Sequence, residues 1–289
     1  MSRALPGCTI ADGKYMGVRA SRDAILPSGR IDWQFEYRLD DHEDTEKNFL
    51  GRTGNFNGED IIDIISMRPA TSWFIASKLY NYFVSDTPNE EATAFLAEEY
   101  RKSGGEIRSM LRALFLSEFF KSKDVWYTKV KSPAELVVGT ARLAGSYQTP
   151  DSGITNLAND DNFMGQEILN PPTVEGWHTG TEWVDTGTLV ERINSSTLVI
   201  GDTLQPGIQT MIQRLKERQD RYQASELVDE CLLLTGGLQV SDNTRHRLTE
   251  FAAHFGEVSF TLDDAASCSE EHVVELLQLI LATREYQLA

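Results

Sequence analysis

The chain has 289 residues, of which 40% are apolar, and a formal net charge of −17. This length and apolar fraction suit one large domain or two small ones with a substantial core, and they exclude a disordered chain. The negative charge argues against nucleic acid, whose phosphates require clustered lysine and arginine, and against an anionic membrane surface. We therefore expect a neutral or cationic partner.

The sequence lacks the signatures of disulfide-rich, metal-binding and membrane-spanning proteins. Cys8, Cys231 and Cys268 are widely spaced and form no CxxC pair, so we predict no disulfide framework, no metal site and no cofactor. No apolar run reaches the ~18 residues of a membrane span. The first ten residues contain no hydrophobic signal segment, so the protein is expected to be cytoplasmic or to lack its natural beginning.

Residues 1–50 are predicted to form an irregular segment with a β-hairpin. Glycine and proline punctuate residues 1–30, which is typical of irregular backbone. Apolar and polar residues then alternate from Trp33 to Leu39, and this period of two predicts a strand. An acidic turn over 40–46 separates that strand from a short return strand predicted over 47–50.

Residues 51–289 are predicted to form a helical domain. Helix start signals occur where Asn57 precedes Asp60, and where Ser132 and Pro133 precede Glu135. The fold class is therefore mainly α, a multi-helix globular domain with a small β-hairpin near the N-terminus. Helices are predicted over 58–67, from 69, over 88–102 and 106–120, from 133, and near 186–200, 206–220, 224–235, 241–255 and 270–286, with a polar connection over 147–160. The last helix is apolar on most sides and should lie at the centre of the core.

The stretch from Met164 to Leu189 separates these helices and combines two tryptophans, two prolines and several glycines. Residues 164–169 are expected to finish a short helix, because the residue before a proline avoids the α region. The prolines and glycines restrict the backbone to defined turns, so an ordered loop is predicted. Asp185 is placed to cap the helix that follows.

This central loop is also the candidate ligand site. Indole rings beside polar side chains can bind a sugar or a peptide, and the candidate residues are Asn170, Trp177, His178, Trp183 and Asp185. The alternative is that both tryptophans fill gaps between helices. Their positions favour a mixed case, with Trp177 partly exposed in mid-loop and Trp183 buried next to the following helix.

Catalytic alternatives are incomplete. Glu167 and Glu175 flank Asn170 and could form the carboxylate pair of a glycosidase, although the sequence gives no separation. His246, Glu250 and His254 recur at helical spacing without the HExxH pattern of zinc proteases. Cys231 lies in an apolar helical run and is expected to belong to the core.

Five stretches occur in the order found in one known family. They are FLGRTGNFNGEDIIDII at 49–65, PATSWFIASKLYNYFVSD at 69–86, VKSPAELVVGTARLAG at 130–145, MGQEILNPPTVEGWHTGTEWVDTGTL at 164–189 and LATREYQ at 281–287. Together they resemble the bacterial family catalogued as domain of unknown function 1800, over nearly the whole chain. Residues 2–10 resemble a further family segment, but Pro6 and Cys8 replace its usual threonine and tryptophan.

The resemblance implies a cellular location for the protein but no activity. Family members are generally longer, with a helical region ahead of this point and often an export signal, so it implies the C-terminal part of a periplasmic or secreted protein. It supplies no activity, cofactor or catalytic residue. The first hypothesis is a binding or assembly module of an exported system, with an unknown protein or glycan partner. The alternative is a hydrolase acting on a glycan or peptide, with Glu167, Glu175, His178 or Asp185 as acid or base.

Overall fold

The computed structural model describes residues 4–10, 35–149, 152–261 and 265–289, which form twelve α-helices and six short strands. The predicted mainly α class is therefore confirmed. The chain divides into two compact units. The first comprises Met1–Leu79 and Asn89–Leu116, and the second comprises Tyr80–Pro88 and Ser117–Ala289.

The first unit contains two antiparallel strand pairs. Strand β1 (Cys8–Ile10) pairs with β2 (Phe35–Tyr37), and β3 (Lys47–Phe49) pairs with β4 (Arg52–Gly54). A hairpin near the N-terminus is thus confirmed, but the predicted pairing between the strand starting at Trp33 and residues 47–50 is wrong. Leu50 and Gly51 both have positive φ, 50° and 82°, which is the backbone of a two-residue hairpin turn. Residues 33–34 lie outside the described ranges.

The first helix of this unit begins where its capping signal predicted, whereas the helix predicted from residue 88 begins at Glu90, after the cap of Asn89. Asn57 caps α1 (Gly58–Ser66) reciprocally with Asp60, with N···O distances of 3.0 and 2.9 Å. Three further helices follow in the chain: α2 (Pro69–Phe83), α3 (Glu90–Ser103) and α4 (Ile107–Leu116). The helix predicted over 106–120 is interrupted, because Ser117 adopts an extended conformation before the short helix α5 (Glu118–Lys121).

The second unit has one helix at its centre. After α5, the helices of this unit are α6 (Pro133–Ala144), α7 (Ile154–Phe163), α8 (Thr186–Gly201), α9 (Pro206–Arg218), α10 (Ala224–Leu234), α11 (Asp242–Ala253) and the central helix α12 (Ala265–Leu281). Helix α12 packs against α8, α10 and α11, and its residues Val273, Leu276, Leu277 and Ile280 are fully buried, as predicted. Within the described residues, no helix is both long and apolar enough to cross a membrane.

Three elements of the second unit were not predicted. Strand β5 (Arg221–Tyr222) pairs with β6 (Val258–Ser259), and α7 replaces much of the polar connection expected over 147–160. Helix α7 ends at Phe163, so the prediction that residues 164–169 finish a helix is wrong. Gly165 has φ +93°, and the backbone N–H of Gln166 donates to the carbonyl of Asp161 at 2.8 Å. This is the Schellman arrangement that ends a helix.

The backbones of α6 and α9 touch. Gly145 ends α6 with φ +71°, and a Cβ placed on it would lie 2.7 Å from the backbone nitrogen of Gly207. A Cβ on Gly207 would collide with the carbonyls of Leu143 and Ala144. Both positions therefore require glycine, and the contact fixes where α9 begins against the end of α6.

The buried Arg192 of α8 joins two segments distant in sequence. Residues 287–289 run antiparallel to 129–131, with the Lys131 N–H donating to the Gln287 carbonyl at 3.0 Å. Arg192 is fully buried. Its Nε donates to the Gln287 side chain at 3.0 Å, and its Nη2 donates to the Lys131 carbonyl at 2.8 Å. One guanidinium thus holds this end of the second unit together.

Candidate functional site

The central loop runs from Met164, which is buried, to Asp185, which caps α8. Gln166 anchors its start, because its side-chain oxygen accepts a hydrogen bond from the Ala134 N–H at 2.9 Å. That N–H belongs to the first turn of α6 and has no partner within its own helix. The loop therefore supplies an acceptor for an N–H that α6 would otherwise leave without a hydrogen-bond partner.

Two candidate residues, Asn170 and Trp177, meet at Glu167. The Glu167 carbonyl accepts hydrogen bonds from the Asn170 backbone N–H and the Trp177 indole N–H, both at 3.1 Å. The Glu167 carboxylate accepts another from the Asn170 side chain at 2.7 Å. These contacts close the segment that contains both prolines and hold the indole of Trp177, which is half-buried.

A tight turn fixes the middle of the loop. The Gly176 N–H donates to the Thr173 carbonyl at 3.1 Å, and the Thr173 hydroxyl donates to the Gly176 carbonyl at 3.2 Å. Gly176 has φ +106°, a backbone conformation that residues other than glycine rarely adopt. This hydrogen-bonded turn is the kind of defined turn expected of an ordered loop.

Trp183 and Asp185 serve the fold. Trp183 ends a 3₁₀ turn at residues 180–183 and is only 5% exposed. The Asp185 carboxylate accepts hydrogen bonds from the N–H groups of Gly187 and Thr188, each at 2.8 Å. The hydrogen bond from Thr188 is the main cause of the lowered pKa of Asp185. The predicted contrast between a half-buried Trp177 and a buried Trp183 is thus confirmed.

His178 lies apart from those contacts. Its Nδ1 is 3.0 Å from the Glu182 carboxylate, and both side chains are exposed. The structure therefore brings Asn170 and Trp177 together at Glu167. Trp183 and Asp185 share Thr188 as a partner, and His178 is paired with Glu182. The described ranges contain no group of three or more His, Cys, Asp or Glu side chains arranged to hold a metal ion.

The sequence interpretation overlooked the apolar residues of the same loop. Ile168, Leu169 and Val174, called here the exposed trio, have exposed fractions of 45%, 90% and 105%. Leu169 also has φ +67°, which costs a leucine on the order of 1–2 kcal/mol. The run of apolar residues around two prolines was a visible signal, but nothing in the sequence says which of them face solvent.

The loop contains several carboxylates but no lysine or arginine. Glu167, Glu175 and Glu182 are exposed, and the sequence contains no lysine or arginine between Arg142 and Arg192. Within the loop's own sequence, the exposed trio is therefore accompanied by carboxylates and by no lysine or arginine. A surface of this kind attracts basic groups and repels anionic ones.

A buried carboxyl group lies at the end of α7, next to the loop. Asp161 is 4% exposed, and its Oδ1 has no hydrogen-bond donor among the described residues. Burial and, to a lesser degree, the neighbouring Asp160 raise the pKa of Asp161 to about 6. The folded state thus favours the protonated carboxyl group.

Asp161 predicts a pH-dependent stability. Its pKa is higher in the folded state than in the unfolded state, so stability is retained at low pH and lost as the pH rises through about 6. This shift from 3.8 corresponds to roughly 3 kcal/mol at neutral pH. Asp161→Asn should recover about 1–2 kcal/mol there, because the amide avoids the charge but adds donors that need partners.

Denaturant unfolding at pH 4.5 and pH 7.5 tests this prediction, with Asp160→Asn as control. The Asp160 carboxylate accepts a hydrogen bond from Ser195 at 3.1 Å, and its charge is the lesser cause of the raised pKa of Asp161, so Asp160→Asn should stabilise the protein at pH 7.5 much less than Asp161→Asn does. An Asp161→Asn effect of equal size at the two pH values would contradict the assignment.

Comparison with known proteins identifies a family for the chain. The family model described as "Protein of unknown function (DUF1800)" matches residues 1–288. No curated protein and no solved structure matches the chain. The chain therefore belongs to the DUF1800 family.

Proposed function

We propose that the protein is a binding or assembly module of an exported system, which docks through the exposed trio of the central loop. The observation that carries the proposal is Leu169, an almost fully exposed leucine in a left-handed conformation. Backbone strain of this kind persists only where the surroundings impose it, and it clusters at functional sites. The exported setting follows from the family resemblance alone.

The rigidity of the loop supports binding. The hydrogen bonds at Glu167 and between Thr173 and Gly176 hold the residues on either side of the two prolines. A loop already held in its bound shape loses little conformational entropy on association. The exposed trio is thus held in its binding conformation before a partner arrives, so that little further conformational entropy is lost on binding.

The charge around the trio indicates the partner. Exposed carboxylates accompany the apolar residues, and basic side chains are missing from this stretch of the sequence. An anionic membrane would be repelled by such a surface. The occupant we propose is a protein with an apolar groove bordered by lysine and arginine, which matches both the apolar residues and their acidic surroundings.

The hydrolase alternative receives less support. Its proposed acids and bases are Glu167, Glu175, His178 and Asp185. The Glu167 carboxylate binds Asn170, His178 is paired with Glu182, and Asp185 caps α8. Each of these three groups has a structural partner, so we favour binding over catalysis.

The test uses the full chain and a helical peptide built from leucine and lysine, titrated by calorimetry at low and at physiological salt. Leu169→Asn combined with Val174→Asn should weaken binding on the order of tenfold or more, because two apolar contacts are lost. Asparagine tolerates the left-handed conformation, so the backbone should be retained. The affinity of the unchanged protein should fall with salt.

The matched control is Leu204→Asn, since Leu204 is 84% exposed and lies outside the loop. It should bind like the unchanged protein, and a leucine–glutamate peptide should not bind. Two results would overturn the proposal: equal losses in the control and in the double variant, or stronger binding to phosphatidylglycerol vesicles than to the basic peptide.

A further inference from the structure

A second surface, unconnected with the exposed trio, lies within the second unit. It is a cleft of about 550 Å³, a volume in the range of small-ligand sites. Five of its lining residues are aromatic: Tyr82, Phe83, Phe120, Trp126 and Tyr127. We call it the aromatic cleft.

The aromatic rings of this cleft are unusually accessible. Tyr82 is 74% exposed and Trp126 is 45% exposed, although aromatic side chains supply much of the energy of cores and interfaces when buried. Tyr82 stacks edge to face on Phe83 with ring centroids 4.7 Å apart, and the Lys123 ammonium lies 5.6 Å from the centroid of Trp126. These contacts hold the orientation of rings that remain open to solvent.

The backbone of the cleft is also strained. Tyr127 has φ +54°, an uncommon conformation for a bulky residue. Its hydroxyl accepts a hydrogen bond from the Gln239 N–H at 3.0 Å, and the Thr128 hydroxyl donates to the Val125 carbonyl at 2.7 Å. Strain imposed on a residue that lines an open cleft points to a ligand-binding role for that cleft.

Both charged side chains that line the cleft, Lys129 and Glu135, already have hydrogen-bond partners. Lys129 donates to the Asp86 carboxylate at 3.2 Å and to the Asn81 carbonyl at 2.8 Å. The Glu135 carboxylate accepts from the Ser132 N–H at 2.7 Å, as part of the cap of α6. An anionic ligand would compete with Asp86 for Lys129, and a cationic ligand would compete with the Ser132 N–H for Glu135, which favours an uncharged ligand.

We propose that the aromatic cleft binds an uncharged oligosaccharide. A sugar ring has an apolar face of C–H groups that can stack on Trp126 and Tyr82, and an edge of hydroxyl groups that can bond to Lys129 and Glu135. This combination matches a cleft with aromatic faces and paired polar groups at its border. The site is independent of the exposed trio, since no trio residue lines the cleft.

Calorimetric titration with cellohexaose, chitohexaose and maltohexaose tests the proposal. We expect saturable binding of at least one of them, weakened about tenfold or more by Trp126→Ala, since a stacking face is lost. Trp126→Phe should retain most of the affinity. The matched control is Trp73→Ala, because Trp73 is also 45% exposed and belongs to the first unit; this variant should bind normally.

Thermal melting of each variant separates lost binding from lost folding. The Leu169→Asn, Val174→Asn double variant should bind the sugar like the unchanged protein, so that failure of the docking proposal leaves this one testable. The inference is overturned if none of the three sugars binds, if Trp73→Ala and Trp126→Ala lose equal affinity, or if oligogalacturonate or chitosan hexamer binds more tightly than every neutral sugar.

Discussion

Trp183→Ala is expected to lower the free energy of unfolding by about 3–5 kcal/mol, the usual cost of removing a buried aromatic ring. Trp183 is 5% exposed, and its carbonyl accepts a hydrogen bond from the Thr188 hydroxyl at 3.0 Å. The ring lies beside Gly165, whose added Cβ would be 3.9 Å from Cζ3 of the indole. The substitution therefore leaves a cavity between the start of the loop and its end.

Trp177→Ala is the matched comparison and should cost only about 1 kcal/mol, since it removes a half-buried ring and one hydrogen bond. Chemical denaturation measures both values. Iodide quenching of single-tryptophan variants supplies a second readout, in which Trp177 should be quenched and Trp183 protected. Equal protection of the two rings would contradict the arrangement described for the loop.

Arg192→Ala is expected to destabilise the protein by about 3–5 kcal/mol. The substitution leaves the Gln287 side-chain oxygen and the Lys131 carbonyl without the donors they now have, and each unsatisfied acceptor costs about 1–3 kcal/mol. It also opens a cavity in the second unit. Burial already lowers the pKa of Arg192 to about 10, so keeping the guanidinium charged in the folded state costs free energy.

Arg192→Met separates the causes. Methionine fills much of the volume and removes the buried Nη1, which has no acceptor among the described residues. Its cost should be roughly half that of alanine, because the cavity disappears while the hydrogen bonds are still lost. Arg142→Ala, at an exposed position of α6, serves as control and should cost little. Equal effects of methionine and alanine at position 192 would mean that packing contributes nothing there.

Helix boundaries were predictable because their causes are local. The caps at Asn57, Ser132 and Asp185 each satisfy backbone N–H groups within four residues, so the sequence contains the whole interaction. Helix α7 was overlooked because its sequence, ITNLANDDNF, has few apolar residues to mark a helical face. Its C-terminal glycine was the available signal.

Strand pairing and site geometry depend on contacts distant in sequence. The partner of Phe35–Tyr37 lies at residues 8–10, and no local pattern selects it. The aromatic cleft likewise combines residues near 82, 126 and 135 with Ala289. Its one local signal was the aromatic density of FFKSKDVWY at 119–127. For the central loop, the sequence indicated order and the two tryptophan environments, but not which apolar residues face solvent.

The stretch between Arg142 and Arg192 contains no lysine or arginine, and this determines how the loop reacts with proteases and chemical labels. Trypsin cleaves after lysine and arginine, so it has no site anywhere in this stretch, however far the loop opens. A glutamate-specific protease has exposed sites at Glu167, Glu175 and Glu182. Amine-reactive crosslinkers also cannot react within the loop, because it contains no lysine. Its contacts would be captured by carboxyl-reactive chemistry instead.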